Sequence, residues 1–338
     1  MMPLRFSPDG LILDPTSLHD APLLAKRAGV GRVLIKDEGE RPYGNFKILG
    51  GMTAGLRALA RATDTRIDMV AARQTGSSKL PRLICASDGN HGLAVAAAAQ
   101  TAGARATIFL HSGVEKERAA RIAALGADIA WTEGTYDDAV DAARTAAMEG
   151  DGLLVPDTSA DPDDATVRDV MRGYKIMTDE LADQFAKADA CPTHLFIQAG
   201  VGGLAAAVAD GLEPCLRLPA TLAVVEPATA ACVGDALETG RIKRFGGNLH
   251  TAAEMLSCGE ASAPALSVLR RHRAHAVAVD EARIEDAVRT MEQSGFKTTA
   301  SGACGLAGLV QAGEDIEVRK RLGLEARSIV LLVVTERK

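Results

Sequence analysis

Short apolar runs and longer alanine-rich segments alternate along the chain, and this alternation predicts its secondary structure. Apolar runs of about five residues are typical of strands, and amphipathic segments of about eleven residues between them are typical of helices. The first half begins with a predicted strand at 33–35 and a predicted helix from 47 to about 62. From residue 82 the predicted strands are 82–86, 106–110, 128–132 and 153–156, and the predicted helices are 92–102, 115–125 and 136–148. Strands joined by helices in this way form right-handed βαβ crossovers, so the pattern predicts a parallel sheet.

The same alternation returns in the second half of the chain. The predicted strands there are 193–197, 221–225, 276–279 and 328–334, and the predicted helices are 204–211, 281–294 and 306–313. Residues 163–187, which join the two halves, are predicted to form one or two helices, with Gly173 as a candidate interruption. Residues 1–32 are predicted to form an arm with one short helix.

The length of the chain is sufficient for two lobes. With 338 residues, of which 47% are hydrophobic, the chain can fill two cores. We therefore predict an α/β fold of two lobes, in which parallel sheets carry helices on both faces. Residues 1–48 and 180–338 form the predicted large domain, and residues 49–179 form the predicted small domain.

Charge and cysteine content narrow the class of partner. The net charge is -6 and no basic run occurs, so the electrostatic footprint of a protein that binds nucleic acid or an anionic membrane is absent. No signal-peptide core and no apolar run of transmembrane length occurs, so we expect a cytoplasmic protein that binds a small molecule. The six cysteines include no C-x-x-C pair, and His91, His194 and His250 have no ligand-like spacing, so no metal site is predicted.

Lys47 lies between an aromatic and an aliphatic residue, where a long helix is predicted to begin. A lysine with an ordinary pKa of about 10.4 is almost entirely protonated at neutral pH. Flanking apolar groups lower the pKa of a lysine by desolvation, and a carbonyl compound traps the neutral amine as a Schiff base. We interpret Lys47 as the amine that carries a cofactor aldehyde. The alternative is a solvated lysine in the first turn of a helix.

A glycine-rich stretch, Gly200-Val201-Gly202-Gly203-Leu204, follows a predicted strand and opens a predicted helix. Backbone N–H groups at such a position converge on an anion, and the absence of side chains lets a phosphate approach them. No G-K-[ST] sequence follows, so the stretch is not a nucleoside-triphosphate loop. A dinucleotide site is the alternative, because the glycine spacing also fits a dinucleotide fingerprint and Glu226 closes the next strand.

Lys47, the glycine-rich stretch and a third stretch, Ser87-Asp88-Gly89-Asn90-His91-Gly92, occur in an order that resembles one enzyme family. This family is the fold-type II pyridoxal-phosphate enzymes, which include tryptophan synthase β and threonine dehydratase, and the strongest likeness is to the diaminopropionate ammonia-lyase subgroup. The likeness runs from Lys36-Asp37-Glu38 to Ser301-Gly302-Ala303. It implies pyridoxal 5'-phosphate held by the large domain and between two lobes, a small amino acid as substrate, and a homodimer.

The resemblance also assigns roles to individual residues. Lys47 would hold the cofactor through a Schiff base, and the glycine-rich stretch 200–204 would hold its phosphate. Asn90 would hydrogen-bond the 3-oxygen of the cofactor, and the hydroxyl of Thr335 would meet its pyridine nitrogen. The alternatives are that Asp88 and Asn90 form only a turn and an N-cap, and that Thr335 only ends a strand. Ser87 and the backbone of its loop would hold the carboxylate of the substrate.

Two carboxylates match the ammonia-lyase subgroup. Asp88 stands where hydroxy-amino-acid dehydratases usually carry a small residue, and Asp157 follows another predicted strand. By this resemblance both would bind substrate and act in catalysis, Asp88 as a second acid–base group opposite Lys47 or as a partner of a substrate ammonium. Each alone would be read as a solvated loop acid. Cys232 and Cys258 also lie in stretches that resemble the subgroup, which implies that they could pair.

The expected reaction is an α,β-elimination that releases ammonia from 2,3-diaminopropionate or a related β-substituted amino acid and leaves a 2-oxo acid. Lys47 or Asp88 would remove the α-proton, and a β-ammonium or β-hydroxyl would leave. A serine, threonine or 3-hydroxyaspartate dehydratase is the main alternative, because the chain is short for the subgroup and Ala261 stands where a proline is expected. A nicotinamide enzyme and a non-catalytic ligand-binding protein are two further candidate functions.

Overall fold

The protein is a mixed α/β structure in a computed structural model that describes residues 4–7, 10–72, 80–87, 89–247 and 249–338. The strands are β1 (Arg5–Ser7), β2 (Gly10–Ile12), β3 (Leu18–Asp20), β4 (Arg32–Asp37), β5 (Leu83–Ala86), β6 (Ala106–His111), β7 (Asp128–Thr132), β8 (Leu153–Leu154), β9 (His194–Gln198), β10 (Thr221–Pro227), β11 (His275–Val279) and β12 (Ile329–Val334). The helices are α1 (Pro22–Ala28), α2 (Lys47–Ala62), α3 (Ile67–Ala71), α4 (Asn90–Ala102), α5 (Lys116–Ala123), α6 (Tyr136–Met148), α7 (Ala165–Lys187), α8 (Gly203–Leu212), α9 (Cys232–Thr239), α10 (Ala263–Arg271), α11 (Glu281–Gln293), α12 (Ala300–Glu314) and α13 (Ile316–Leu322). Within these described ranges, no helix has both the length and the hydropathy needed to cross a bilayer.

The predicted alternation of strands and helices is confirmed. The structure differs from the prediction in the segment that joins the two halves of the chain. Residues 165–187 form one continuous helix, α7, which Gly173 does not interrupt. A side chain at Gly173 would place its Cβ 2.2 Å from the carbonyl oxygen of Leu49 and 2.7 Å from the Cα of Gly50. Gly173 therefore serves a close approach of α7 to α2 rather than a break.

The first part of the chain is more regular than the predicted arm. β1 and β2 pair antiparallel, and β3 pairs antiparallel with β4. Each of β1, β2 and β3 has only three residues, which is too short for a hydrophobic period to emerge from the sequence. α1 begins with Pro22 in its first turn and ends at Ala28, and the next residue, Gly29, caps the helix in the left-handed conformation at φ 63°.

The chain divides into two compact units. The first unit comprises Met1–Asp14, Lys47–Ser159 and Asp163–Tyr174, and the second comprises Pro15–Phe46, Ala160–Pro162 and Lys175–Lys338. The sequence-based division put all of residues 1–48 with the large domain, whereas β1 contacts α3 and β2 contacts α2 in the first unit. The predicted boundaries of a large cofactor-binding domain and a small domain therefore stay a prediction.

The first unit contains a four-stranded parallel sheet in the order β7-β6-β5-β8. Its helices α2 and α4 pack closely through small residues. A Cβ on Gly51 would lie 2.5 Å from the Cβ of Ala94, and a Cβ on Gly55 would lie 2.9 Å from the Cβ of Ala98. Larger residues at the two glycines would force the helices apart, so this packing fixes the position of α2 and of Lys47 at its first turn.

The second unit contains a six-stranded sheet in the order β11-β10-β9-β12-β4-β3, in which only the edge strand β3 runs antiparallel. Every residue of β9 and β10 is buried, as expected for parallel strands covered on both faces. α12 packs directly on this sheet through glycines. A Cβ on Gly305 would lie 2.8 Å from the carbonyl oxygen of Phe196, and a Cβ on Gly308 would lie 2.5 Å from a methyl group of Val225.

In both units the residues with predicted chemical roles follow the carboxyl ends of strands. The stretch 87–92 follows β5 and Asp157 follows β8 in the first unit. The glycine-rich stretch 200–204 follows β9 and Thr335 follows β12 in the second. The carboxyl ends of parallel strands are where open α/β sheets bind ligands.

Candidate active site

Lys47 and Asp157 form an ion pair within the first unit. The Nζ of Lys47 lies 2.6 Å from the Oδ2 of Asp157, and the two side chains are 22% and 10% exposed. The second carboxylate oxygen, Oδ1, accepts a hydrogen bond from the hydroxyl of Tyr136 at 2.6 Å. Two of the predicted catalytic residues are thus in direct contact, and both oxygens of the carboxylate are used.

The carboxyl of Asp157 is ionised at neutral pH. Burial acts to raise the pKa of Asp157, but the charge of Lys47 and the hydrogen bonds from Lys47 and Tyr136 outweigh it and hold that pKa well below its usual range. A fixed negative charge therefore lies beside the Lys47 nitrogen. Such a charge stabilises positive charge that develops on the nitrogen when it takes up a proton.

Tyr136 is a site residue that sequence reasoning missed. The hydrophobic pattern placed it only as the first residue of a predicted helix, and α6 does begin there. The chain contains only three tyrosines. The sequence did contain a signal for Tyr136. It is a rare tyrosine between a predicted strand and a predicted helix, near the sheet edge where ligands bind.

Ser87 shapes the loop that follows β5. Its Oγ accepts hydrogen bonds from the backbone N–H groups of Gly89 and Gly92, both at 2.8 Å, and the side chain is buried. The hydroxyl hydrogen is therefore what Ser87 has left to offer a substrate carboxylate. Asn90 is half-buried at the first position of α4. Asp88, a predicted catalytic and substrate-binding residue, lies outside the described residues.

His91 connects α4 with the segment that leads to Asp157. Its Nε2 lies 2.8 Å from the carbonyl oxygen of Val155, so Nε2 carries the hydrogen. Burial lowers the pKa of His91, and the ring is neutral at neutral pH. This contact fits the structural role expected for His91.

The glycine-rich stretch of the second unit has the features of an anion site. α8 begins at Gly203, and the residue before it, Gly202, takes the left-handed conformation at φ 96° without any side-chain cap. A Cβ on Gly200 would lie 2.9 Å from the Sγ of Cys258, whereas a Cβ on Gly203 would meet no atom within 4 Å. The start of α8 thus has no side-chain cap and has open space beside Gly203, which are features of a helix start that can accept a phosphate.

Thr335 belongs to the same edge of the second sheet. It follows β12, which pairs with β9, the strand that leads into the glycine-rich stretch. Thr335 is 6% exposed, and its Oγ1 accepts a hydrogen bond of 3.2 Å from the Nε2 of Gln198. The second unit therefore brings the predicted phosphate loop and the predicted partner of the pyridine nitrogen to neighbouring strands.

Glu226 does not serve as the acid of a dinucleotide site. Its two carboxylate oxygens accept hydrogen bonds from the backbone N–H groups of Val233 and Gly234, both at 2.8 Å, and the residue is 1% exposed. The carboxyl thus binds the first turn of α9 and is not available to a ribose hydroxyl. This geometry removes the acidic residue on which the nicotinamide interpretation depended.

The stability of the protein is expected to fall as the pH rises from about 5 to about 8 because of Glu226. Burial raises the pKa of Glu226 to about 8, against the opposing hydrogen bonds from Val233 and Gly234. Because its pKa is higher in the folded state, the stabilisation is present at low pH and is lost as pH rises, by up to about 1.4 kcal/mol per pH unit. Urea unfolding of wild type and Glu226→Gln should show this slope in their difference, and parallel curves for the two proteins would contradict it.

Cys232 and Cys258 both lie beside the glycine-rich stretch. The Sγ of Cys232 donates to the carbonyl oxygen of Gly200 at 3.4 Å, and the Sγ of Cys258 is the atom that a Cβ on Gly200 would meet. Both cysteines are buried. Their pairing stays a prediction.

One group of potential metal ligands occurs in the second unit among the described residues. Ligand atoms of His19, Asp37 and Glu40 lie within 4.8 Å of one another. None of the three was predicted to bind a metal. Carboxylates in such groups are common in proteins without an ion, and the group lies outside the stretches with predicted catalytic roles.

Comparison with known proteins identifies the family. A family model described as pyridoxal-phosphate dependent enzyme matches residues 11–336. The chain belongs to this family. Its cofactor is pyridoxal phosphate, and the predicted resemblance to fold-type II enzymes is confirmed.

Three proteins illustrate what this pyridoxal-phosphate enzyme is similar to. Diaminopropionate ammonia-lyase of Salmonella typhimurium is 30% identical over 341 residues, which cover 95% of this chain and 84% of that protein. A crystal structure of the holo diaminopropionate ammonia lyase from Escherichia coli matches with a TM-score of 0.85 and 28% identity, over 96% of this chain and 85% of that one. A probable D-serine dehydratase of Burkholderia pseudomallei is 29% identical over 305 residues, 83% of this chain and 67% of that protein. The predicted α/β fold class is confirmed by these likenesses.

The residues of this family member fit the groups of the cofactor when each is tested separately. The uncapped N-terminus of α8, with glycines on either side of its start, suits a phosphate dianion. Each hydrogen bond to a charged acceptor contributes roughly 1.5 to 3 kcal/mol, against about 0.3 to 1 kcal/mol for the helix end, so several N–H groups must dominate. Lys47 supplies the primary amine that an aldehyde needs, and Asp157 beside it can accept the proton that the ammonium must lose before it adds to the aldehyde.

Proposed function

We propose that this protein is an ammonia-lyase that eliminates ammonia from 2,3-diaminopropionate or a related β-substituted amino acid. The products are a 2-oxo acid and ammonia. The observation that carries the proposal is the ion pair between Lys47 and Asp157, in a chain similar to diaminopropionate ammonia-lyases over most of its length. An amine paired with a buried carboxylate is suited to move a proton at an α-carbon.

In this proposal each end of the cofactor has its own residues. Lys47 would take the aldehyde, residues 200–204 would hold the phosphate through backbone N–H groups, Asn90 would bond the 3-oxygen and Thr335 would meet the ring nitrogen. When bound, pyridoxal phosphate supplies an electron sink for the α-carbon of an amino acid. A capping side chain would occupy the first-turn N–H groups of α8 and weaken phosphate binding. Glycine has no side chain that can cap these groups, so they stay available.

The proton chemistry is assigned to three side chains. In its neutral form the Nζ of Lys47 takes the α-proton, and the ionised Asp157 beside it stabilises the ammonium that results, which is the ion pair seen in the structure. Tyr136 donates to Asp157 and so fixes the direction in which that carboxylate faces. Asp88 is proposed as a second acid–base group, which would let the enzyme act on a proton presented from the other side.

The substrate class follows from the same charges. A 2,3-diaminopropionate molecule carries a carboxylate and two amino groups, so it needs an anion site and at least one carboxylate partner. Ser87 and the backbone of its loop are proposed to hold the substrate carboxylate, and Asp157 and Asp88 to hold the β-ammonium that leaves. Both leaving-group partners are acids, which favours an ammonium over a neutral hydroxyl.

Ammonia release across a small panel of amino acids is expected to be highest with 2,3-diaminopropionate. The panel contains both enantiomers of the diamine, of serine and of threonine, together with 3-hydroxyaspartate, and the measurement is the initial rate of ammonia and of 2-oxo acid formation. Release from D-serine with none from the diamine would reject the proposal in favour of a dehydratase, for which the similar probable D-serine dehydratase is the specific support. Absence of turnover with every member would favour a non-catalytic binding protein.

We also propose that the protein acts in the cytoplasm and as a homodimer. The resemblance to the fold-type II family supports the dimer. Light scattering of the purified protein at several concentrations measures the mass, and a mass near 35.2 kDa at all of them would reject the dimer.

A further inference from the structure

The side-chain amide of Gln198 has an orientation that its neighbours determine. Its Nε2 lies 3.0 Å from the carbonyl oxygen of Val333, 3.2 Å from the Oγ1 of Thr335 and 3.4 Å from the carbonyl oxygen of Gly302. Carbonyl oxygens only accept hydrogen bonds, so the end of the amide that faces them must be the NH₂ group. The residue is 2% exposed, which excludes water as a substitute for these partners.

This orientation fixes what the Thr335 hydroxyl can do. An NH₂ group directed at Oγ1 makes the hydroxyl oxygen an acceptor, and the hydroxyl hydrogen must then point elsewhere. Among the described residues, that hydrogen meets no acceptor. The Oε1 of Gln198 itself lies on the far side of the amide and is buried without a partner there. The hydroxyl hydrogen of Thr335, at the carboxyl end of β12, is therefore available to a further acceptor.

We propose that Gln198 is a positioning residue that turns the Thr335 hydroxyl into a hydrogen-bond donor toward the ring nitrogen of the cofactor. The proposal rests on the proposed contact between Thr335 and that nitrogen. A ring nitrogen that accepts a hydrogen bond must be unprotonated, because its lone pair is the acceptor. Gln198 thus acts, through Thr335, on the protonation state of the ring without touching the cofactor.

The device also explains two local features of the second unit. The NH₂ group has two hydrogens, and its two shorter contacts are with the carbonyl oxygen of Val333 in β12 and the Oγ1 of Thr335. The carbonyl oxygen of Gly302 in α12, at 3.4 Å, also faces the NH₂ group and disfavours the reversed amide. A Cβ on Gly305 would lie 3.0 Å from the Oε1 of Gln198, so the glycine leaves room for the amide. Because the two carbonyl oxygens fix which end of the amide faces Thr335, the amide presents a donor to the Thr335 hydroxyl oxygen.

Gln198→Glu is expected to reverse the direction of the Thr335 hydroxyl. A carboxyl has at most one hydrogen, which the carbonyl of Val333 takes, so the carboxyl presents only an acceptor to Thr335. The hydroxyl then donates to residue 198, and its lone pair faces the ring nitrogen. This arrangement favours a protonated ring. Gln198→Met, which has neither donor nor acceptor of comparable strength, leaves the hydroxyl without a fixed direction and should produce a smaller change of the same sign.

The measurement is the ¹⁵N NMR shift of the ring nitrogen in resting holoenzyme, reconstituted with ring-labelled pyridoxal phosphate and titrated without substrate from pH 6 to pH 9. Wild type is expected to show an unprotonated ring throughout. Gln198→Glu is expected to raise the ratio of protonated to unprotonated ring by about tenfold or more at a given pH. Because no substrate is present, the result does not depend on the reaction proposed above, and a failure of that reaction would appear only in the ammonia assay.

Two controls separate positioning from general damage. Gln311 also donates its amide to a backbone carbonyl, that of Ala278 at 3.0 Å, and lies in the same unit, so Gln311→Glu and Gln311→Met should leave the wild-type titration unchanged. In a Thr335→Val background, Gln198→Glu should add no further shift, because the hydroxyl that carries the effect is gone. A wild-type titration in both Gln198 variants with full cofactor occupancy would overturn the proposal. If Gln198→Glu does not fold, Gln198→Met alone decides it.

Discussion

Replacing Lys47 by alanine is expected to remove the visible absorbance of lysine-linked pyridoxal phosphate and to lower ammonia release by roughly 10³-fold or more. The substitution removes the Lys47 nitrogen, which has two proposed roles. It is the amine that takes the cofactor aldehyde and the base that takes the α-proton. Loss of a general base alone typically costs about 10²- to 10⁴-fold. The absorption spectrum of the purified variant and its initial rate with the preferred substrate of the panel measure the two losses separately.

Lys116→Ala is the matched control for this experiment. Lys116 is also the first residue of a helix, α5, in the same unit, and it is exposed. Its replacement removes a lysine and changes a helix start in the same way, so it should retain the wild-type spectrum and rate. A Lys47→Ala protein that keeps the absorbance and turns over like Lys116→Ala would show that another amine holds the cofactor.

The sequence is a good guide to elements whose signals are local. α6 covers residues 136–148 as predicted, because Thr135 accepts from the backbone N–H of Asp138 while the Asp138 carboxylate accepts from the backbone N–H of Thr135, and this capping box marks the start of the helix. β7 likewise covers 128–132 as predicted. In both cases a hydrophobic period and a boundary signal lie within a few residues, so tertiary contacts are not needed to find them.

The sequence is a weaker guide to helices and strands that are stabilised by packing against other elements. α12 begins at Ala300, six residues before the predicted start, because Thr299 accepts from the N–H of Gly302 and caps the helix. The glycines in this segment favour a loop by propensity, but they permit close packing of the helix on the sheet, and packing overrides propensity. β1, β2 and β3 were missed because each gains its stability from a partner strand rather than from its own pattern.

The candidate site shows the same limit. Lys47 and Asp157 were each predicted from their own stretches, but they are 110 positions apart, and no local pattern predicts their ion pair. Tyr136 was missed because its role exists only through Asp157. The Gln198 contact with Thr335 spans 137 positions and depends on the pairing of β9 with β12. Sequence reasoning therefore predicted which residue types matter, and the fold determines which of them act on each other.

Replacing Asp157 by asparagine is expected to lower turnover by roughly 10²- to 10³-fold while the protein still folds. Asparagine has nearly the same shape but no charge, so the Lys47 nitrogen loses the anion 2.6 Å away that stabilises its protonated form. The hydroxyl of Tyr136 also loses a charged acceptor. The rate with the preferred substrate and the visible spectrum measure the effect. An unchanged rate would show that the ion pair has no part in proton transfer.

Asp169→Asn provides the matched control for Asp157→Asn. Asp169 is a buried carboxylate of the same unit that pairs with Arg57 at 2.7 Å, away from Lys47. Its neutralisation removes a buried anion and should lower the free energy of unfolding, but turnover of the folded protein should stay within about twofold of wild type, because no proton is transferred at this carboxylate. A comparable loss of turnover in both variants would mean that Asp157 acts only through stability.

The pH dependence of stability gives an independent test of the charge at Asp157. Because Lys47 holds the pKa of Asp157 below its usual range, the carboxylate contributes stability that is fully present above the unfolded-state value of about 4 and is lost as the pH falls through the folded-state pKa. The difference in unfolding free energy between wild type and Asp157→Asn should therefore be constant from about pH 5 to 8 and shrink below about pH 4. A difference that instead grows on acidification would require a carboxyl that is protonated in the folded protein. Such a carboxyl would not stabilise charge on Lys47, and the proposed proton transfer would lose its electrostatic basis.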